Sequence, residues 1–224
     1  MIQNDNLPYY RIYTKTGSRG HWHHEFINEF GYRSETVYPT DNYYLMLGCS
    51  HTFGMTLNFE NLASHILETE LGTPIINLGI CGGSCNAMAL NLQKLMMSDY
   101  PKPKVVIAQW PHIHRYMMFA DPDNAFQFHP HMKARHIYEQ FLNSQGLFET
   151  AAKNSFWYVN SLNIPVINYG ISDKPGTRIT ANPANFFDIP QIDNIDFASD
   201  GKHPGPETNK KIVESISTEL KKLT

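Results

Sequence analysis

Three short stretches of this sequence carry the residue types that nucleophilic chemistry needs. The first, GCSHTFG at 48–54, sets Ser50 on a glycine-flanked turn directly after the apolar run YYLMLG. A serine just past the carboxyl end of a buried strand projects its hydroxyl off the sheet, and the helix start that follows can steady negative charge developing there. The stretch is not a G-x-S-x-G elbow, because Thr52 stands where that motif has its second glycine. The second stretch, DGKHPG at 200–205, puts Asp200 three residues before His203. On a turn, D-x-x-H can set a carboxylate against one imidazole nitrogen while the other nitrogen faces the top of a sheet, the base and orienting acid that a serine requires. The third, NLGICGGS at 77–84, is glycine-rich, so its backbone N–H groups can come close to a ligand oxygen. Each stretch also has an ordinary structural reading, as a turn, an exposed loop or a strand-to-helix connection.

The elements that must position these stretches alternate along the chain. Residues 43–48 read as a buried strand ended by glycine, and residues 59–72 as a helix with Leu62, Ala63, Ile66 and Leu67 on one face. Residues 74–79 form a second strand, and residues 86–97, with Met88, Leu92, Leu95 and Met96 at helical spacing, a second helix. A proline-punctuated turn feeds a third strand ending near Trp110. A long helical stretch is expected over 131–162 with a break near Gly146, then a fourth strand at 164–170 and a closing helix at 205–223. Apolar strands separated by helices imply a parallel sheet covered on both faces. The fold class is therefore α/β, a three-layer α/β/α sandwich with a mostly parallel, flavodoxin-like sheet, whose ligands bind beyond the carboxyl ends of the strands. Residues 1–42 are read as an N-terminal extension packed on a domain spanning 43–224. Residues 171–202 read as a long functional loop, which together with 111–130 would wall a pocket. The aromatic residues of that earlier wall, among them Trp110 and Tyr116, would either line the pocket or cap the core.

Taken together, the order of Ser, Gly and Asp-x-x-His resembles the SGNH hydrolases, also called the GDSL esterase/lipase family, as a divergent member. GCSHTFG resembles the family's first block with Ser50 at the nucleophile position, NLGICGG its second block with Gly82 at the oxyanion glycine, and DGKHPG its last block with Asp200 and His203 completing a triad. NEFGYRS at 28–34 also resembles an N-x-x-G-[FY]-R stretch found upstream of the nucleophile in some bacterial and phage relatives. Two departures stand out. Cys49 replaces the aspartate that usually precedes the serine, and AQWPHIH at 108–114 lacks the G-x-N-D of the third block, whose asparagine completes the oxyanion hole. Gln109 and His112 are the candidate substitutes for that donor. The resemblance implies a carboxylic-ester hydrolase working through an acyl-enzyme without a cofactor, on a small or carbohydrate-linked O-acyl ester, with Trp110 and His114 in the substrate site. Alternatives are a weak or inactive binding protein on the same fold, or an O-acyltransferase in which a sugar hydroxyl replaces water.

Composition bounds the rest. At 224 residues with 42% apolar and only 17% charged residues, the chain is neither disordered nor in need of staples to fold. A net charge of −3 argues against a nucleic-acid-binding surface, and no run reaches the roughly 18 apolar residues of a membrane span. The first residues, MIQNDNLPYYRIY, lack a basic region followed by an apolar core, so a cytoplasmic or otherwise non-Sec-exported protein is expected. Three cysteines, Cys49, Cys81 and Cys85, read as small reduced thiols. The 11 histidines are unusually many. His-x-His pairs such as His112 and His114 can bind metal, but no H-E-x-x-H motif accompanies them and no metal is expected. No P-loop or dinucleotide fingerprint follows any strand.

Overall fold

The computed structural model describes residues 8–10, 27–121, 124–128, 146–172 and 183–223. Its strands are β1 (Tyr44–Gly48), β2 (Ile75–Gly79), β3 (Val105–Gln109), β4 (Tyr116–Asp121), β5 (Asn124–Phe128), β6 (Val166–Ile171) and β7 (Gln191–Ile192). Its α-helices are α1 (Ser50–Phe53), α2 (Ala63–Leu71), α3 (Cys85–Met97), α4 (Leu147–Ser161), α5 (Pro183–Phe187) and α6 (Pro206–Leu220). Five strands form one sheet in the order β2-β1-β3-β6-β7, with every pairing parallel. This is the α/β/α sandwich expected from apolar strands separated by helices.

The period of two along each strand sorts the core into two layers. Leu45 and Leu47 of β1 join Val106 and Ala108 of β3 beneath Met88, Leu92 and Leu95 of α3 and Ala152 and Val159 of α4. Met46, between the two leucines, faces the other way with Ile107, Ile167 and Tyr169, under Leu67 of α2 and Ile212, Val213, Ile216 and Leu220 of α6. Residues before β1 contribute to the first layer. Tyr9, Phe30 and Tyr32 are buried there, with the Tyr9 ring edge-on to both of the others.

The structure departs from the sequence reading in three places. The helix expected over 59–72 divides into a 3₁₀ turn (Phe59–Asn61) and α2, because Leu62 between them is extended. The segment after β3 is not plain loop: β4 and β5 pair as an antiparallel hairpin of their own. Residues 171–202, read as a loop, contain α5 and also β7, which extends the sheet beyond β6. In the long helical stretch α4 begins directly after Gly146, the expected break, while 131–145 lie outside the described residues. Among the described residues no helix is long and apolar enough to cross a membrane.

At the carboxyl edge of the sheet, Gly48 of β1 pairs in register with Gly79 of β2. A methyl group on Gly79 would lie 2.3 Å from the Phe53 backbone nitrogen, and one on Gly48 would lie 1.9 Å from Thr52 Oγ1. The two glycines thus make a bare platform on which α1 rests. We expect Gly79→Ala, which meets backbone and not a movable side-chain tip, to cost about 1–3 kcal/mol by overpacking. The check is a urea titration with a lowered midpoint and an unchanged slope; an unchanged midpoint would mean that α1 does not rest on this platform.

Candidate active site

Helix α1 has only four residues, too few to hold itself together in water. Three buried polar side chains secure it. Asn77 of β2 donates through Nδ2 to the Thr52 carbonyl at 2.8 Å, while its Oδ1 accepts from the Gly79 N–H at 2.9 Å. Gln109 of β3 accepts through Oε1 from the Cys49 N–H at 3.3 Å and the Thr52 hydroxyl at 3.2 Å. Arg33 donates to the Gly54 carbonyl at 2.5 Å and the Leu57 carbonyl at 2.9 Å, just beyond the helix. Arg33 is itself delivered by a turn in which Asn28 Oδ1 accepts from the Phe30 and Tyr32 N–H groups. Ser50, first residue of the helix, is 6% exposed.

The D-x-x-H loop is built with equal care. Phe197 bridges Pro204 in antiparallel fashion, and the Ala198 N–H donates to the His203 carbonyl at 2.9 Å. Asp200 Oδ1 accepts from the N–H groups of Lys202 (3.0 Å) and His203 (3.1 Å), closing an Asx-type turn. Asp196 ends the loop by accepting from the Glu207 and Thr208 N–H groups in the first turn of α6, at 3.0 and 2.7 Å. These are donors that a helix start leaves unsatisfied.

Between the two constructions runs one chain of hydrogen bonds. His203 Nε2 lies 3.0 Å from Ser50 Oγ, and His203 Nδ1 lies 2.5 Å from Asp200 Oδ2. Burial works against ionisation of Asp200, but the His203 N–H, the His203 ring and the Lys202 N–H outweigh it and hold the carboxyl below its ordinary range. Beside them the His51 ring stands edge-on to His203, 5.6 Å between centroids. Burial first, then the charges of His203, Arg115 and His112, push His51 down to about 3, so its ring is neutral at pH 7.

Gly82 adopts a φ of +72°, a conformation that suits glycine, in a turn closed by the Gly83 N–H donating to the Ile80 carbonyl at 2.7 Å. The Ile80 N–H donates to the Gly48 carbonyl at 3.1 Å, which seats this turn beside the strand that leads into Ser50. The structure therefore brings Ser50, His203 and Asp200 into contact and sets the Gly82 turn against the same strand end.

The other expectations fare differently. Gln109 directs its Nε2 to the Trp110 carbonyl at 3.0 Å and its oxygen to α1, so both ends of its amide brace the sheet edge. Trp110 is corrected from substrate site to core. It is fully buried, donates from its indole to Asn168 Oδ1 at 2.8 Å, and packs against Phe156 and Phe187. His112 and His114 are half-buried on the segment after β3, with His114 edge-on to Phe148. His21, His23, His24, His129, His131 and His136 lie outside the described residues. Among the described residues no three His, Cys, Asp or Glu side chains gather as a metal site, and no disulfide joins the three cysteines. Sequence reasoning missed the bracing roles of Asn77, Arg33 and Asp196. A signal was present for Asn77, a polar residue inside the apolar run PIINLG, because a buried amide demands partners.

No protein-family model matches the chain, and no curated protein is similar to it. Among solved structures it is similar to a member of the lipolytic protein G-D-S-L family from Veillonella parvula, 12% identical with a TM-score of 0.46 over 77% of this chain and 94% of the other. It is similar to AlinE4, an SGNH-hydrolase family esterase, at 16% identity and a TM-score of 0.45 over 82% and 97%. A carbohydrate esterase family 2 enzyme with a carbohydrate-binding domain, from Corynascus thermopiles, gives 12% identity and a TM-score of 0.49 over 83% and 68%. Identities this low leave the chemistry of the site to be argued from its own geometry.

The His51 environment yields a pH prediction. Its ordinary value is 6.5 and the folded value is about 3, so between these the unfolded chain binds the extra proton. Stability is therefore full above pH 6.5 and falls as the pH drops towards 3. The depressed Asp196 and Asp200 carboxyls add to the loss only lower, below their ordinary 3.8. Thermal melts of His51→Gln should show a flatter decline between pH 7 and 4.5 than wild type. Parallel curves would remove His51 from the account.

Proposed function

We propose that the protein is a serine ester hydrolase of SGNH type. One observation carries the reading: Ser50 Oγ, the two His203 nitrogens and Asp200 form an unbroken hydrogen-bonded relay between residues 153 positions apart. His203 Nε2 is within reach of the serine proton, which makes Ser50 a competent nucleophile. Asp200, held ionised, fixes the tautomer with the proton on Nδ1 and stabilises the imidazolium once it forms.

In the reaction Ser50 Oγ attacks the ester carbonyl while its proton passes to His203. The Ser50 and Gly82 N–H groups hold the tetrahedral oxyanion. Collapse expels the alcohol, which takes the proton from His203 and leaves an acyl-serine. His203 then draws a proton from water, the hydroxyl attacks the acyl carbonyl, and the acid leaves as Ser50 recovers its proton. With Gln109 committed to bracing, His112 is the remaining candidate for a third oxyanion donor. A hole lacking one donor typically loses about 10²–10³ in turnover, so modest rates are expected if His112 does not serve. The substrate class is a small or carbohydrate-linked O-acyl ester.

The test joins active-site labelling with turnover. Wild type should be labelled by a fluorophosphonate and should hydrolyse 4-nitrophenyl acetate. Ser50→Ala should lose both, and Asp200→Asn should lower kcat by about 10⁴, as removal of the orienting carboxylate does elsewhere. Equal labelling of wild type and Ser50→Ala would overturn the assignment. Ligand binding with neither turnover nor labelling of Ser50 would favour a binding protein on this fold.

A further inference from the structure

The segment after β3 is pinned at both ends to the start of α3. The Cys85 thiol donates to the Pro111 carbonyl at 3.7 Å. Asn86 exchanges two hydrogen bonds with the Met117 backbone, accepting from its N–H at 3.1 Å and donating to its carbonyl at 2.7 Å. The residues between, including His112 and Arg115, are thereby held over the helix start that follows the Gly82 turn. The charges that reach the His51 ring, immediately beside the nucleophile, are those of His203, Arg115, His112 and Asp200. Three of these groups are basic, and the single carboxylate is already paired with His203.

Two enclosed nitrogens in this neighbourhood, Arg115 Nη1 and His51 Nδ1, have no hydrogen-bond partner among the described residues. A guanidinium is always charged, and its rigid fork of donors matches a carboxylate or phosphate. An enclosed cationic donor with no partner among the described residues is a demand for an acceptor. Arg115 as a whole is only half-buried, so part of its side chain remains open to solvent beside the enclosed Nη1.

We propose that Arg115 receives an anionic group on the substrate, so that the ester taken by this site bears a carboxylate or phosphate on its acyl or alcohol part. The proposal rests on the ester-hydrolase reading and narrows it from esters in general to charged ones. With the His51 ring neutral, Arg115 carries a fixed positive charge on the described part of this wall. An anionic substrate would be drawn in by that charge and oriented by the fork before Ser50 attacks.

Two matched ester pairs test it. 4-Nitrophenyl hydrogen succinate against 4-nitrophenyl butyrate places the charge on the acyl side, and 4-acetoxybenzoate against 4-acetoxybenzamide places it on the alcohol side. In at least one pair the anionic ester should lead in kcat/KM by about 10-fold or more, the worth of one charge-assisted hydrogen bond, chiefly through KM. The ratio should collapse towards one in Arg115→Ala, be partly kept in Arg115→Lys, and shrink with added salt. A ratio near one in both pairs, or one unchanged in Arg115→Ala, would overturn the proposal. Binding provides a reading independent of turnover, so failure of the hydrolase assignment would remain distinguishable. Calorimetric titration of Ser50→Ala with 4-hydroxybenzoate and with succinate should give binding that the Ser50→Ala/Arg115→Ala double variant loses. Absence of binding for both anions would overturn it.

Discussion

A helix of four residues cannot exist on its own hydrogen bonds, and the site hangs from one. Everything at this end of the sheet can be understood as what it takes to keep α1 in place. The paired glycines Gly48 and Gly79 let its backbone lie against the strands, closer than any side chain would permit. Asn77, Gln109 and Arg33 then reach it from β2, from β3 and from the segment before β1. All three are buried, so each would be costly if left unpaired, and each finds its partner in the short helix or the turn that closes it. The position of Ser50 is thus set by groups that lie outside the Ser50–His203–Asp200 relay.

The opposing half of the site follows a different logic. His203 and Asp200 stand on a loop in which the orienting carboxylate also serves the backbone: Asp200 uses one oxygen on the Lys202 and His203 N–H groups and the other on the His203 ring. The carboxylate that meets the His203 ring therefore also fixes the loop that carries the ring. Asp196 ties this loop to the first turn of α6, and α6 is anchored in turn by the burial of Ile212, Val213 and Ile216 against the sheet. The His203 ring is held to the same frame as Ser50 through a rigid body and not through a flexible tether.

Much of this was legible in the sequence because its cause is local. Apolar runs ended by glycine announced β1 and β2, and the spacing of Ile212, Val213, Ile216 and Leu220 announced the inward face of α6. Ser50, Asp200 and His203 could be singled out because their types and spacing admit few chemical uses. The hairpin β4–β5 and the edge strand β7 were not legible. A two-residue strand has no periodicity to detect, and a hairpin outside the main sheet breaks the alternation on which the reading relied. Trp110 was misjudged for a related reason: an aromatic residue at a strand's end suits a pocket wall and a core equally, and only Phe156 and Phe187, arriving from α4 and α5, decide between them. Gln109 was noted for its donors, whereas its carbonyl oxygen is what the nearby helix uses.

The 153 residues between Ser50 and His203 have a consequence for how the chain comes into being. Along the chain, the strand that presents Ser50 precedes every other strand of the sheet, and the loop that presents His203 follows them all. A chain emerging from the ribosome would carry Ser50 without His203 beside it until those 153 residues had followed. The Ser50–His203 contact cannot form until the loop tied to α6 has docked, so its completion is in this sense a report that the sheet between them has closed.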